Sequence, residues 1–337
     1  MAAVDYGSIL FPGELPLDPA RLSGIFSKLP RTELEIGFGN GEFTVQHAAA
    51  NPDTLLIGME VSPACVVRCA RRAGGLPNLK IICTDARFMM KELFVDASLD
   101  RVWMNFPCPW PKRRHAHRRV TAGGFADDLA AVLKVGGVFE LATDEEWYAC
   151  EARDVLGGHE ALSVAGWRVD SGRSAATKYE RKWLSMGKST LRLSVVKTKS
   201  FTVRRRTWDL SREWGLNQDP NNEGCEGVHV KTGRALSGES LAEAFGAPGV
   251  RGDARWVFKR LFRSALPNMS ETWLIETIST DGEFEQRFHL KVAARDGGTL
   301  IKLDGTARVF LTPAVRFALE DLARRLSGQA VRDEGSA

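Results

Sequence analysis

The 337-residue chain is 44% hydrophobic and 26% charged, with a formal net charge of +4. That balance supplies a full core, excludes a disordered polyelectrolyte, and suits two domains better than one at this length. No run reaches the ~18 apolar residues of a membrane span, so no membrane partner is expected.

The opening stretch, MAAVDYGSILFPGELPLDP, lacks a basic start followed by an apolar run. It is not expected to act as a secretory signal. Cysteines 65, 69, 83, 108, 150 and 225 form no C-x-x-C pair. Reduced thiols in a cytoplasmic protein are expected rather than a disulfide framework or a zinc ribbon. From Glu33 to about Lys197, apolar runs (LEIGF, TLLIGMEV, LKIICTD, RVWMNF, GVFELATD, LRLSVVK) alternate with helical patterns such as EFTVQHAAANP and PACVVRCARRAGG. Apolar strands separated by helices predict a parallel sheet covered on both faces, a doubly wound α/β domain over residues 1–200.

The first strand runs into Glu35-Ile-Gly37-Phe-Gly39-Asn-Gly41. Gly37, Gly39 and Gly41 let the backbone turn tightly and approach a ligand. A dinucleotide fingerprint would need its third glycine at position 42, which is Glu42. A pyrophosphate is therefore poorly served, and a cationic ligand is better served. The second strand ends in Glu60, suited to a ribose diol, and the third in Asp85, suited to an adenine edge. Glu35, Glu60 and Asp85 together describe a pocket for S-adenosyl-L-methionine in a Rossmann-like class I methyltransferase fold. The alternative is a plain glycine turn beside ordinary strand-terminal acids.

The fourth strand leads into Asn105-Phe-Pro-Cys-Pro-Trp-Pro-Lys-Arg-Arg-His-Ala-His-Arg-Arg119, a stretch rich in basic residues and without a carboxylate. Prolines keep it from continuing as a helix. A restricted basic loop carrying Trp110 suits RNA, while a charge run standing alone is as often a solvated face. His115 and His117 lack partners at metal-ligand spacing, so no metal site is expected.

With this loop in view, residues 33 to 197 resemble the bacterial tRNA (guanine-N7)-methyltransferase family. The likeness rests on EIGFGNGEF, GMEVS, the loop FPxPWPK-x-RH-x-x-RR, Thr143-Asp144 followed by EEWYA, and Thr177-Lys178-Tyr179-Glu180 with Arg181. The resemblance implies methyl transfer from S-adenosyl-L-methionine to N7 of guanosine 46 in the tRNA variable loop. It implies cofactor binding by Glu35, Glu60 and Asp85, and guanosine binding by Lys112, Asp144, Thr177, Lys178, Tyr179 and Glu180. Asp144 and Glu180 are apt acceptors for the N1–H and N2 donors of guanine. Arg113, Arg114, Arg118 and Arg119 are expected on the RNA backbone, where they position without reading sequence.

The chain departs from the family at its catalytic aspartate: the loop normally reads FPDPW, and here the position is Cys108. Guanine N7 carries a free lone pair, so transfer needs positioning more than a general base, and activity is expected to survive. Two alternatives stand beside this: a weakened or inactive tRNA-binding homologue, and a cytosine C5 RNA methyltransferase with Cys108 as nucleophile.

After about Lys199 the texture changes to KSFTVRRRTW, NQDPNNEGCEG and β-type runs joined by Asp281-Gly282, ending in the helical TPAVRFALEDLARRLS. A smaller α+β domain is expected over residues 201–337. Arg204, Arg205, Arg206, Arg255, Lys259, Arg260, Arg263, Arg316, Arg324 and Arg325 suggest a tRNA-gripping role for it, against a soluble appended domain.

Overall fold

The computed structural model describes residues 8–10, 29–169, 189–205, 228–230, 237–263, 272–295, 298–305 and 309–327. It divides into two compact units, Met1–Arg206 and Thr207–Ala337. The first unit reaches past residue 200 because Arg205 holds the chain to it. The Arg205 guanidinium donates to the carbonyls of Lys91 and Phe94 at 2.7 and 2.9 Å and pairs with Asp96 at 2.6 Å. Arg205 is thus an internal tie rather than one of the expected RNA contacts.

In the first unit the described strands are β1 (Ile9–Leu10), β2 (Arg31–Ile36), β3 (Thr54–Glu60), β4 (Leu79–Cys83), β5 (Leu99–Asn105), β6 (Leu133–Thr143), β7 (Leu162–Val169) and β8 (Leu191–Lys197). They lie in the order β1-β4-β3-β2-β5-β6-β8-β7, and only β8 runs antiparallel to its neighbours. The helices are α1 (Glu42–Ala50), α2 (Pro63–Ala73), α3 (Ala86–Leu93), α4 (Phe125–Val132) and α5 (Glu146–Gly157). Every residue of β3 is buried, which is why that run is apolar throughout rather than alternating. Strand order reverses between β2 and β5, and in such sheets the crevice outside the carboxyl ends at that point is the ligand site. The doubly wound fold expected from sequence is therefore present, with β7 and the short β1 as edge additions.

Local chemistry sets each helix against this sheet. Helix α2 starts at Ser62, whose side chain accepts from Cys65 N–H, has Pro63 in its first turn, and stops at Gly74 with φ 57°. It buries Val66, Cys69, Ala70 and Ala73, spaced three and four apart, and leaves Arg71 and Arg72 in its last turn near the negative end of the dipole.

The second unit holds β9 (Val228–Val230), β10 (Gly249–Arg251), β11 (Ala254–Arg263), β12 (Thr272–Asp281), β13 (Phe284–Arg295) and β14 (Gly298–Leu303), with helices α6 (Gly238–Glu243) and α7 (Pro313–Leu326). The strands form an antiparallel sheet in the order β10-β11-β12-β13-β14-β9. At the β12–β13 hairpin Asp281 pairs with Phe284, and Gly282 takes φ 64°, the positive value such a tight turn needs. Helix α7 begins on Thr312-Pro313 and buries Val315, Leu319 and Leu322 in one core with Trp273, Ile275, Leu290 and Ile301.

Asp321 fixes α7 to that sheet. It is 2% exposed, accepts from Trp256 Nε1 of β11 at 2.8 Å, and pairs with Arg325 at 2.7 Å and Arg324 at 2.6 Å. Arg325 also donates to the carbonyls of Ala244 and Ala247, and Arg316 pairs with Glu320 at 2.6 Å. The helix arginines expected to grip RNA are thus tied within their own unit. Burial pushes the Asp321 carboxyl up, but hydrogen bonds from Arg325, Trp256 and Arg324 outweigh this and hold it below the usual range. A carboxyl lowered on folding contributes stability above its unfolded pKa, and that contribution is lost as pH falls through the folded value. Asp321→Asn is expected to destabilise the second unit by about 3 kcal/mol near neutral pH and to flatten its acid weakening below about pH 4. Amide exchange in α7 and β11 of the full chain, followed against pH, reads both effects; unchanged protection would refute the role.

Candidate active site

The switch point opens into a cavity of about 890 Å³. Glu35 at the end of β2 lines it, is 1% exposed, and accepts from Thr44 Oγ1 of α1 at 2.6 Å and Asn105 Nδ2 of β5 at 2.9 Å. A buried carboxylate of this kind persists only with such partners. Glu60, at the end of β3 and 9% exposed, also lines the cavity. Its two oxygens accept from Gly39 N–H and Ser62 N–H, each at 2.9 Å. One carboxylate thereby joins the glycine turn to the start of α2 and keeps lone pairs for a diol.

Asp85 lines the same cavity but is the N-cap of α3 rather than a bare strand-terminal acid. It accepts from Arg87 N–H at 3.0 Å, and its carboxylate faces the Arg87 guanidinium, whose Nε lies 3.1 Å away. Arg87 also donates to the His117 carbonyl at 3.0 Å, so it bridges the third acid and the basic loop. Nothing in the sequence pattern marked Arg87 for this.

The glycines divide in role. Gly37 (φ 71°) and Gly39 (φ 55°) line the cavity, and an added Cβ on either would point into open space, as a cradle for a ligand requires. Gly41, expected beside the cofactor, is not among the lining residues. At φ 74° it caps α1, and a Cβ there would meet Cys69 Sγ at 2.3 Å. Its smallness serves the approach of α2. Burial, aided by the charge of Glu35, pushes the Cys69 thiol up to about 12, so it stays protonated.

The strand-four loop forms the opposite wall. Cys108, Trp110 and Arg118 line the cavity with Asp144 and Glu145, which follow β6. Phe106 (φ 49°) and Trp110 (φ 46°) are held in the left-handed region, rare for aromatic residues and a mark of backbone constrained by its surroundings. The constraint on Trp110 is visible. Arg119 Nε donates to the Pro109 carbonyl at 3.1 Å, and its NH2 to the Trp110 carbonyl at 3.2 Å. Its remaining nitrogen pairs with Glu151 of α5, and the guanidinium lies 4.9 Å over the Trp147 ring, whose indole donates to Glu145.

Arg119, expected on the RNA backbone, is 8% exposed, and its guanidinium binds the loop to α5. That is a correction: hydrogen bonding to the loop's own carbonyls takes the group away from solvent. Arg118 is exposed, lines the cavity and sits 5.0 Å over the Trp110 ring. Lys112, Arg113 and Arg114 are exposed and stand outside the lining. Thr177, Lys178, Tyr179 and Glu180 lie outside the described residues. Glu145 joined the site without being singled out in the sequence, although it directly follows Thr143-Asp144. Arg119→Ala is expected to cost about 1–3 kcal/mol and to speed proteolysis at Lys112–Arg114. An unchanged cleavage rate in limited proteolysis would refute the clamp.

The chain is similar to known proteins over most of its length. A family model described as "Putative methyltransferase" matches residues 31–193. The tRNA (guanine-N(7)-)-methyltransferase of Thermotoga maritima is 35% identical over 323 residues, 95% of this chain and 97% of that protein. The protein of the same name from Saccharophagus degradans is 39% identical over 54% of this chain and 80% of its own length. That of Thermus thermophilus is 35% identical over 56% of this chain and 61% of its own. The Thermotoga likeness runs through both units, far beyond the motifs of the sheet. On that match the chain belongs to the tRNA (guanine-N(7)-)-methyltransferase family.

Proposed function

We propose that the chain transfers a methyl group from S-adenosyl-L-methionine to N7 of guanosine 46 in the tRNA variable loop. The observation that carries this reading is one cavity lined on one side by Glu35, Glu60 and Asp85 and on the other by Cys108, Trp110, Arg118 and Asp144. The donor supplies an electrophilic methyl on a sulfonium. Glu60 accepts from the ribose hydroxyls, the open cradle at Gly37 and Gly39 admits the backbone-hugging part of the ligand, and Glu35 offers negative charge to its cationic end. Asp85 meets the adenine edge.

Guanine N7 holds its lone pair in the ring plane, so the N–CH3 bond forms as the S–CH3 bond breaks and its electron pair stays on sulfur. No proton moves. Positive charge passes from the sulfonium to the purine, and the site must hold the base in line and favour a cation on it. Asp144 accepts from the base edge, and Asp144 with Glu145 supplies negative charge to the product cation. Arg118 and Trp110 form a stacked platform at the mouth, and Lys112, Arg113 and Arg114 hold phosphate. Thr177, Lys178, Tyr179 and Glu180 remain part of the proposed guanosine site.

This chemistry accounts for Cys108 without a catalytic thiol. A carboxylate at position 108 would add to the field but is not needed to remove a proton. Cys108→Ala is expected to retain 7-methylguanosine formation in tRNA, and Cys108→Asp to raise the rate about tenfold, the scale of one charge-assisted contact. Nucleoside analysis after labelled methyl transfer reads both. Loss of all transfer in Cys108→Ala, with 5-methylcytosine made by the parent chain, would establish the nucleophile instead. Glu60→Gln is expected to weaken donor affinity about tenfold while tRNA affinity holds. Calorimetric titration with the donor, beside tRNA filter binding, checks the separation.

A further inference from the structure

Among the described residues, α7 covers one face of the C-terminal sheet, where Trp273, Ile275, Leu290 and Ile301 enter the core. Because side chains alternate along a strand, the register defines what stands on the other face. One row across it is Phe262, Leu274, Lys291 and Lys302; the next is Arg260, Glu276 and His289. Arg287 pairs in register with Ile278 on the same face.

These residues make a definite arrangement. The Glu276 side chain is 10% exposed, and both Arg260 (72%) and Arg287 (59%) reach it, at 3.4 and 3.3 Å. One sunken carboxylate therefore anchors two guanidinium groups that remain open to solvent. Beside them the ring of Phe262, itself 45% exposed, meets His289 edge-on with centroids 5.8 Å apart. Lys291 and Lys302 lie directly opposite one another on adjacent strands, like charges that weaken a sheet on their own and call for an anion nearby. Toward the β12–β13 hairpin the row is Arg255, Thr280 and Glu285, one charge of each sign. The middle of the face thus carries Arg260, Arg287, Lys291 and Lys302 against Glu276 and, in register with His289 just past the end of β14, Asp304, a net positive balance interleaved with aromatic rings.

From this juxtaposition we infer that the open face of the C-terminal sheet is an RNA-docking surface that binds the tRNA substrate by its phosphate backbone and by stacking on Phe262. Charge complementarity selects a polyanion, and an exposed aromatic pair among arginines suits exposed bases or ribose better than an acidic protein surface. The inference rests on tRNA being the substrate, and it replaces the α7 arginines, tied to Asp321 and Glu320, with a different set. Contacts to phosphate fix position without reading sequence, so this surface would raise affinity for tRNA bodies in general and leave the choice of guanine to the cavity.

The test uses the full chain, with tRNA binding measured from low to moderate salt and methyl transfer measured at varied tRNA. Arg260→Ala with Arg287→Ala is expected to weaken tRNA binding about tenfold or more and to lower the slope of log affinity against log salt by about 2. KM for tRNA should rise with kcat little changed. Since that pair leaves Glu276 buried without its arginines, Lys291→Glu with Lys302→Glu, which does not disturb Glu276, is expected to weaken binding at least as much. Arg260→Lys with Arg287→Lys should restore most of the affinity. If the parent chain methylates tRNA while both charge variants bind with unchanged affinity and salt slope, the surface is refuted. The same holds if they change only self-association in sedimentation. If the parent chain methylates no tRNA, the substrate reading itself fails.

Discussion

A carboxylate buried to 1% exposure at the tip of β2 is costly unless its lone pairs are filled, and Glu35 fills them from both sides of the strand-order reversal. Thr44 donates from the helix that follows β2, and Asn105 donates from the end of β5. That one side chain ties the helix after β2 to the end of β5 beside the β2–β5 ladder, at the rim of the cavity. Glu60 repeats the device one strand over, with its oxygens occupied by two backbone N–H groups. Both acids are hydrogen-bonded parts of the frame, so the cavity they line is built by the fold itself.

The other wall depends on a cation. The strand-four loop holds Phe106 and Trp110 in a backbone region that L-residues avoid, and Arg119 and the helix beyond β6 keep it there. An arginine suits this task because its planar fork serves two carbonyls, a carboxylate and an aromatic face at once. The basic loop is therefore divided: its last arginine points inward and fixes shape, while Arg118 and the residues from Lys112 to Arg114 present charge outward.

The second unit uses the same logic with opposite signs. Asp321 collects Trp256, Arg324 and Arg325 and joins helix to sheet, and Glu276 collects Arg260 and Arg287 on the open side. Glu276 leaves its arginines 72% and 59% exposed, whereas Asp321 holds Arg324 at 38% and Arg325 at 16%. That difference decides which arginines of this unit can meet an anionic partner.

Strands β2 to β6 and β8 of the first unit, the glycine turn and the acids at positions 35, 60 and 85 were legible in the chain, while β1, β7 and the antiparallel direction of β8 were not. Apolar runs with flanking glycines report burial and turns directly, and strand-terminal acids report one edge of a parallel sheet. The closing helix was legible as well, since Thr312-Pro313 and the spacing from Val315 to Leu326 carry a helical period. Strand β11 was not: its alternation breaks at Lys259, where the register shifts between Phe258 and Arg260. Gly41 read as a ligand glycine but is a packing glycine, because a sequence does not record that Cys69 comes to lie against it. Arg119 read as one more basic residue of a run, and Arg324 and Arg325 as RNA-gripping, because charge is written in the sequence while the partner that neutralises it is not. Composition and local pattern determined the sheet, the acids at its carboxyl edge and the family likeness, since these depend on near neighbours and on burial averaged over a strand. Which cations face solvent, and which glycine faces a ligand, was decided only by tertiary packing, since those roles hinge on contacts between residues distant along the chain.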